Sequence, residues 1–164
     1  RLRRVNVAGE AVAEWSHSIE VAPRSVERVP LTNEMVVPER GDSEFIVADA
    51  GDLRGVWFFE PDKAFAYEVP RANVSIRSTD DGYEVTVTAL SLLRDLVLWP
   101  DAIAPRVRVD NQLVTLLPGE SHRFTVHTSQ PITLDTHTWL SALRCCSSQA
   151  QACRVEVTDP AAVS

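Results

Sequence analysis

The stretch Asp110 to Val126, DNQLVTLLPGESHRFTV, constrains this chain more than any other. Gln112 to Leu117 is an extended, apolar and partly β-branched run, and His122 to Val126 continues with alternating character. Between them stands Pro118-Gly119-Glu120-Ser121, where proline presets one turn φ and glycine accepts a positive one. The economical reading is two strands joined by a Pro-Gly turn, as a hairpin. Nothing in the stretch looks catalytic, so it speaks to architecture before function.

The same punctuation recurs along the chain. Leu2–Val7 reads as a short strand. Val12–Val21 alternates Glu14, Ser16, Ser18 and Glu20 against Ala13, Trp15, His17, Ile19 and Val21, the period of a half-buried strand, with Trp15 as a core anchor. Val26–Leu31 reads as a third strand, and residues 32–43 as a polar loop. Glu44–Ala50 and Gly55–Glu60 form the next pair about a Gly51-Asp52 turn. In the second of these, side-chain alternation allows Trp57 and Phe59 to enter a core only if Phe58 faces outward. Residues 61–70, bounded by Pro61 and Pro70, read as an extended linker.

Beyond it, Ala72–Ser78 and Tyr83–Ala89 flank Asp80-Asp81-Gly82, a strong hairpin signal. Tyr83, Val85, Val87 and Ala89 alternate inward against Glu84, Thr86 and Thr88. Leu92–Trp99 follows, then Arg106–Val109 and the Pro-Gly stretch. Closely spaced strands with almost no helical periodicity predict an all-β fold of two immunoglobulin-like antiparallel β-sandwich units, the first incomplete at its N-terminus. The expected boundaries are 1–66, 67–128 and a poorly defined tail, 129–164, with a helical turn or two near 138–146 and a late strand at 154–158.

Composition narrows the function. A formal charge of −7 argues against nucleic acid, which needs a basic face. No apolar run is long enough to cross a membrane as a helix. All basic residues except Lys63 are arginine. Cys145, Cys146 and Cys153 cluster in the tail, an odd number without paired C-x-x-C spacing, so we expect free thiols rather than a disulfide framework or a zinc site. No cofactor and no metal is expected. The opening Arg1-Leu2-Arg3-Arg4, without a start methionine or signal-peptide core, leads us to expect a fragment, and the cytoplasm is the favoured compartment.

With the strands in place, GVWFFEPDK at 55–63, VTVTALSLLRDLVL at 85–98 and VDNQLVTLLPGESHRFTV at 109–126 together resemble the C-terminal region of β-mannosidases of glycoside hydrolase family two. The ordered set carries the resemblance, over roughly residues 44–127; the tail after Thr128 departs from the family pattern. The resemblance implies that residues 1–66 are the latter part of a sandwich following a catalytic barrel, and that residues from about 67 are the terminal sandwich. It also implies a parent reaction, release of terminal non-reducing β-D-mannose with retention.

Such hydrolases need two carboxylates about 5 Å apart. Asn33-Glu34 matches the family's Asn-Glu pair in letters only, because it lies in a polar loop of a chain too short for a barrel of about 250 residues. No catalytic residue is therefore assigned. His17, His122, His127 and His137 are scattered, and Ser121, His122 and Asp110 make a triad only on paper. Arg94-Asp95 inside an apolar strand predicts that one of the pair faces solvent or an interface.

Three functions compete. The first is a non-catalytic region bracing the barrel of the same polypeptide through Trp57, Phe58 and Phe59. The second is a stand-alone sandwich binding mannose-containing oligosaccharide, with Trp57 and Trp99 as carbohydrate contacts. The third is a protein-interaction module with an apolar patch at Trp57–Phe59. Alternation assigns Trp57 and Trp99 to cores more readily than to sugar platforms, and Trp139 to an anchor on the second sandwich.

Overall fold

The computed structural model describes residues 1–128, 132, 136–146 and 156–160, with the side chains of 136–138 and 156–160 left aside. Cys153 and the first two residues of the expected strand at 154–158 lie outside these, as does the side chain of His137. The chain divides into two compact units, Arg1–Ala66 and Tyr67–Ser164. Both are β-rich, and among the described residues every strand pairing but one is antiparallel.

The first unit carries one sheet, built from β1 (Leu2–Asn6), β2 (Ala11–Trp15), β3 (Glu44–Ala50) and β4 (Leu53–Phe58) in the order β2-β1-β3-β4. Gly51, at φ 60, makes the tight turn between β3 and β4. One sheet face holds Val5, Phe45 and Val47, all fully buried. Phe58 stacks on Phe45 with centroids 4.9 Å apart, and Phe65 meets Phe58 edge-on at the same distance. Phe65 is itself fully buried, so the segment read as a linker is part of this core; Ala66 N–H donates to Asp42 at 2.6 Å.

Of the strands expected in this unit, Val12–Val21 is cut short and Val26–Leu31 is absent. Strand β2 ends at Trp15, and residues 16–31 form neither the rest of Val12–Val21 nor Val26–Leu31. Ile19, Val21 and Val26 stand exposed, Val26 at 88%. Alternation there had no sheet to serve. Trp15 is half-buried and stacks on His17 at 5.1 Å. Within the expected loop lies a one-turn helix, α1 (Asn33–Val36), which buries Met35.

The described residues of the second unit form two sheets. Strands β5 (Arg71–Thr79), β6 (Gly82–Ala89), β8 (Arg108–Val109), β10 (Ser121–His127) and β12 (Glu156–Pro160) form one, in the order β12-β5-β6-β10-β8, with β12 parallel to β5. Strands β7 (Leu93–Leu98), β9 (Val114–Leu116) and β11 (Leu143–Arg144) form the other, ordered β11-β7-β9. Val74, Ile76, Val85, Val87 and Phe124 from the first meet Leu93, Leu96, Leu98 and Leu116 from the second in one core. Trp139 of α2 (Thr136–Ser141) is buried in the same core against Tyr83, at 5.1 Å. At Gly82, φ 144, a Cβ would stand 2.0 Å from the Val126 carbonyl oxygen, so only glycine lets β6 and β10 close there.

The Pro-Gly stretch is not a hairpin. The turn forms, with Glu120 N–H donating to Leu117 O at 3.0 Å, but β9 pairs with β7 and β10 pairs with β6 and β8. Pro118-Gly119 therefore arches from one sheet to the other. It is anchored to the end of β6 by reciprocal bonds, Gly119 N–H to Ala89 O and Ala89 N–H to Glu120 O, both 2.8 Å. Leu116 and Leu117 are both buried as the chain changes layer.

Arg94 and Asp95 are both half-buried. Leu93 faces Leu116 and Leu96 faces Val114, so β7 carries one extra residue there, a bulge with Asp95 at φ 50. The bulge is what lets two adjacent charges both leave the core. Arg94 donates to the Tyr67 hydroxyl at 2.6 Å and lies 3.4 Å from the Asp95 carboxylate.

Candidate functional site

Residues two apart on a strand share a sheet face, and register then brings them together across strands. Leu2 pairs with Ala48, Ala48 with Gly55, and Ile46 with Trp57. These side chains floor a groove of 510 Å³ in the first unit, with Val56 and Phe59 beside them and Leu31 and Val36 as its wall. At Gly55 nothing lies within 4 Å of where a Cβ would stand, so this residue keeps the floor low. The lining side chains are apolar but for the indole N–H of Trp57.

The wall is held by a buried ion pair. The Arg4 guanidinium, 5% exposed, donates to Glu44 Oε2 at 2.9 Å and to the Val37 carbonyl at 2.8 Å. Glu44 Oε1 accepts the Arg40 N–H at 3.0 Å. Both charges are removed from water, so their mutual geometry fixes the 37–40 segment and with it the α1 wall. Sequence reading missed this wall. Its signal was Met35-Val36-Val37, an apolar cluster inside an otherwise polar stretch.

Trp57 is 67% exposed. Of the two arrangements that alternation allows for Trp57-Phe58-Phe59, the structure has Phe58 in the Phe45–Phe65 cluster and Trp57 and Phe59 lining the groove. Trp99 is also exposed, at 54%, just past the end of β7, with its N–H donating to Ala142 O. Neither tryptophan is a core residue as alternation suggested, and the two belong to different units.

An apolar groove of this kind can bury aliphatic or aromatic side chains. A sugar needs convergent donors and acceptors as well as a ring to stack on, and the side chains of the groove lining offer one polar group, the indole N–H of Trp57.

The remaining candidates separate in space. Glu34 is exposed in the first turn of α1. Ser121 and His122 point to opposite faces of β10, and the Ser121 hydroxyl is bonded to Thr88 at 2.7 Å rather than to an imidazole. Burial pushes His122 below its ordinary pKa, against the pull of the Asp110 charge and a backbone hydrogen bond with Asn111. Among the described residues, no group of three His, Cys, Asp or Glu side chains is placed to hold a metal ion. Cys145 is buried and Cys146 exposed.

No family model matches this sequence, and neither does any curated protein. In fold, the chain is similar to part of a β-D-mannosidase. The solved structure is that of Dictyoglomus thermophilum, matched with a TM-score of 0.62 and 13% identity over 96% of this chain and 18% of that one. At that identity the likeness is one of fold, and this chain spans under a fifth of the mannosidase.

Proposed function

We propose that this chain is a non-catalytic sandwich region of a β-mannosidase-like glycoside hydrolase. The observation that carries the reading is the fold similarity to a β-D-mannosidase over 96% of this chain but only 18% of that one. Its parent reaction is hydrolysis of terminal non-reducing β-D-mannose with retention, performed by a barrel elsewhere in the polypeptide. The groove lined by Trp57, Phe59, Leu2 and Ile46 is the surface that braces this barrel. An almost wholly apolar lining supports that role, because exposed apolar patches of this sort mark contact surfaces.

The test is twofold. Purified chain will leave an aryl β-mannoside unhydrolysed, and a Glu34→Gln variant will be indistinguishable from it. Intact-mass measurement of the native polypeptide will give a species far larger than the 18.2 kDa of this sequence. Turnover lost in Glu34→Gln, or a native mass of 18.2 kDa, overturns the reading.

A second reading is a stand-alone carbohydrate-binding or protein-interaction module. Exposure of both Trp57 and Trp99 favours it. Titration with manno-oligosaccharides that quenches tryptophan fluorescence, and does so no longer in Trp57→Ala or Trp99→Ala, would move it to first place.

A further inference from the structure

The connector between β8 and β9 concentrates unusual backbone. Asn111 sits at φ 30 and Leu113 at φ 64, conformations that side chains larger than glycine adopt at a cost. Four hydrogen bonds hold the connector down. Asp110 N–H donates to Thr125 O at 3.2 Å, and Asp110 Oδ1 accepts the Thr125 N–H at 2.7 Å. Gln112 takes the Leu98 N–H with Oε1 and gives Nε2 to the Leu98 carbonyl.

His122 lies beneath this connector, on the inner face of β10 with Phe124 and Val126. Its ring meets Phe124 edge-on at 4.7 Å, shares a backbone hydrogen bond with Asn111, and pairs across the sheet with Val87. Nε2 is closed off from solvent and has no hydrogen-bond partner. The charge facing it is Asp110. Arg123 and His127 point to the other face of β10, Arg123 toward Glu84, and Glu120 turns its carboxylate to the Leu117 N–H.

We propose that His122 is a proton-operated latch on the Asp110–Leu113 connector. Neutral, the ring leaves the Asp110 carboxylate with Thr125. Protonated, it acquires a buried Nε2–H donor that requires an acceptor, and the carboxylate of Asp110 moves to it. Thr125 N–H is then released, the strained Asn111–Leu113 backbone relaxes, and Gln112 lets go of Leu98 beside the exposed Trp99.

The experiment is a pH titration of the full chain followed by amide and imidazole NMR. Expected is a His122 midpoint below about 6.5, the ordinary histidine value, with the Thr125 and Leu98 amides shifting at that same midpoint. In His122→Phe, which keeps the contact with Phe124, both amide transitions vanish while other cross-peaks stay in place. If that variant fails to fold, His122→Gln serves, with the same loss expected. Amides that stay fixed while His122 titrates, or that still move in the folded variant, overturn the latch.

Discussion

The side-chain amide of Gln112 meets the main chain of Leu98 with both of its polar ends, each at 3.0 Å. A side chain here does what a strand residue would do, pairing the N–H and C=O of the last residue of β7. Of the extended run expected at Gln112–Leu117 only Val114–Leu116 forms a strand, and that Gln112 would pair through its side chain was not legible in the sequence.

Gln112→Ala removes both bonds from a residue that is otherwise exposed, so water replaces part of the loss. At about 0.5–1.5 kcal/mol net per bond, the variant will be about 1–2 kcal/mol less stable in urea denaturation. Leu98 will be the amide whose hydrogen exchange rises most.

The Arg4–Glu44 pair predicts an asymmetry. Glu44→Ala leaves a guanidinium buried without its carboxylate and will cost about 3–5 kcal/mol, read as a lowered denaturation midpoint of the first unit. Replacing both charges, in Arg4→Met with Glu44→Leu, will cost less than the single change, because no charge is stranded. The reverse order would show that the pair does not hold the 37–40 segment.

Acid will act on the first unit through Asp49. Burial raises its pKa, but hydrogen bonds from Arg54 at 2.7 Å and Arg3 at 2.8 Å outweigh that and hold it below the ordinary value. A depressed carboxyl contributes stability that is whole above about pH 4 and lost as pH falls through the folded pKa. Asp49→Asn will therefore be less stable than the parent at pH 7 and show a shallower decline below about pH 4, in denaturation curves taken across that range.

The groove offers the most direct test of contact. Gly55→Val fills its floor without meeting another atom at the Cβ, and Trp57→Ala removes an exposed ring. Both will leave stability within about 0.5 kcal/mol, as exposed sites do. Both will weaken association with the barrel of the same protein, supplied as a separate piece, at least tenfold in calorimetry. Unchanged affinity in both would remove the groove from the interface.

What the sequence disclosed follows from range. The Asp80-Asp81-Gly82 hairpin and the inward set Val85, Val87 and Ala89 are written in adjacent residues, and the structure has them as read. Three adjacent aromatics at 57–59 fix that the faces alternate but not which one is inside; Phe65, in a segment read as linker, decided that. Ile19, Val21 and Val26 carried strand-like patterning with no neighbouring strand to pair with, and they lie exposed. The groove was half legible, since Trp57 and Phe59 were named and their wall was not.

The arch at Pro118-Gly119 has a consequence for the order of events in folding. Had β9 and β10 been a hairpin, they would close on each other quickly as a local contact. Instead β10 waits for β6, with Ser121 meeting Thr88 across 33 residues of sequence. Loop closure of that span must come before its pairing is rewarded, which slows assembly relative to a meander of the same length. The β5–β6 hairpin is then the natural nucleus, and the Pro-Gly arch is among the last pieces to settle.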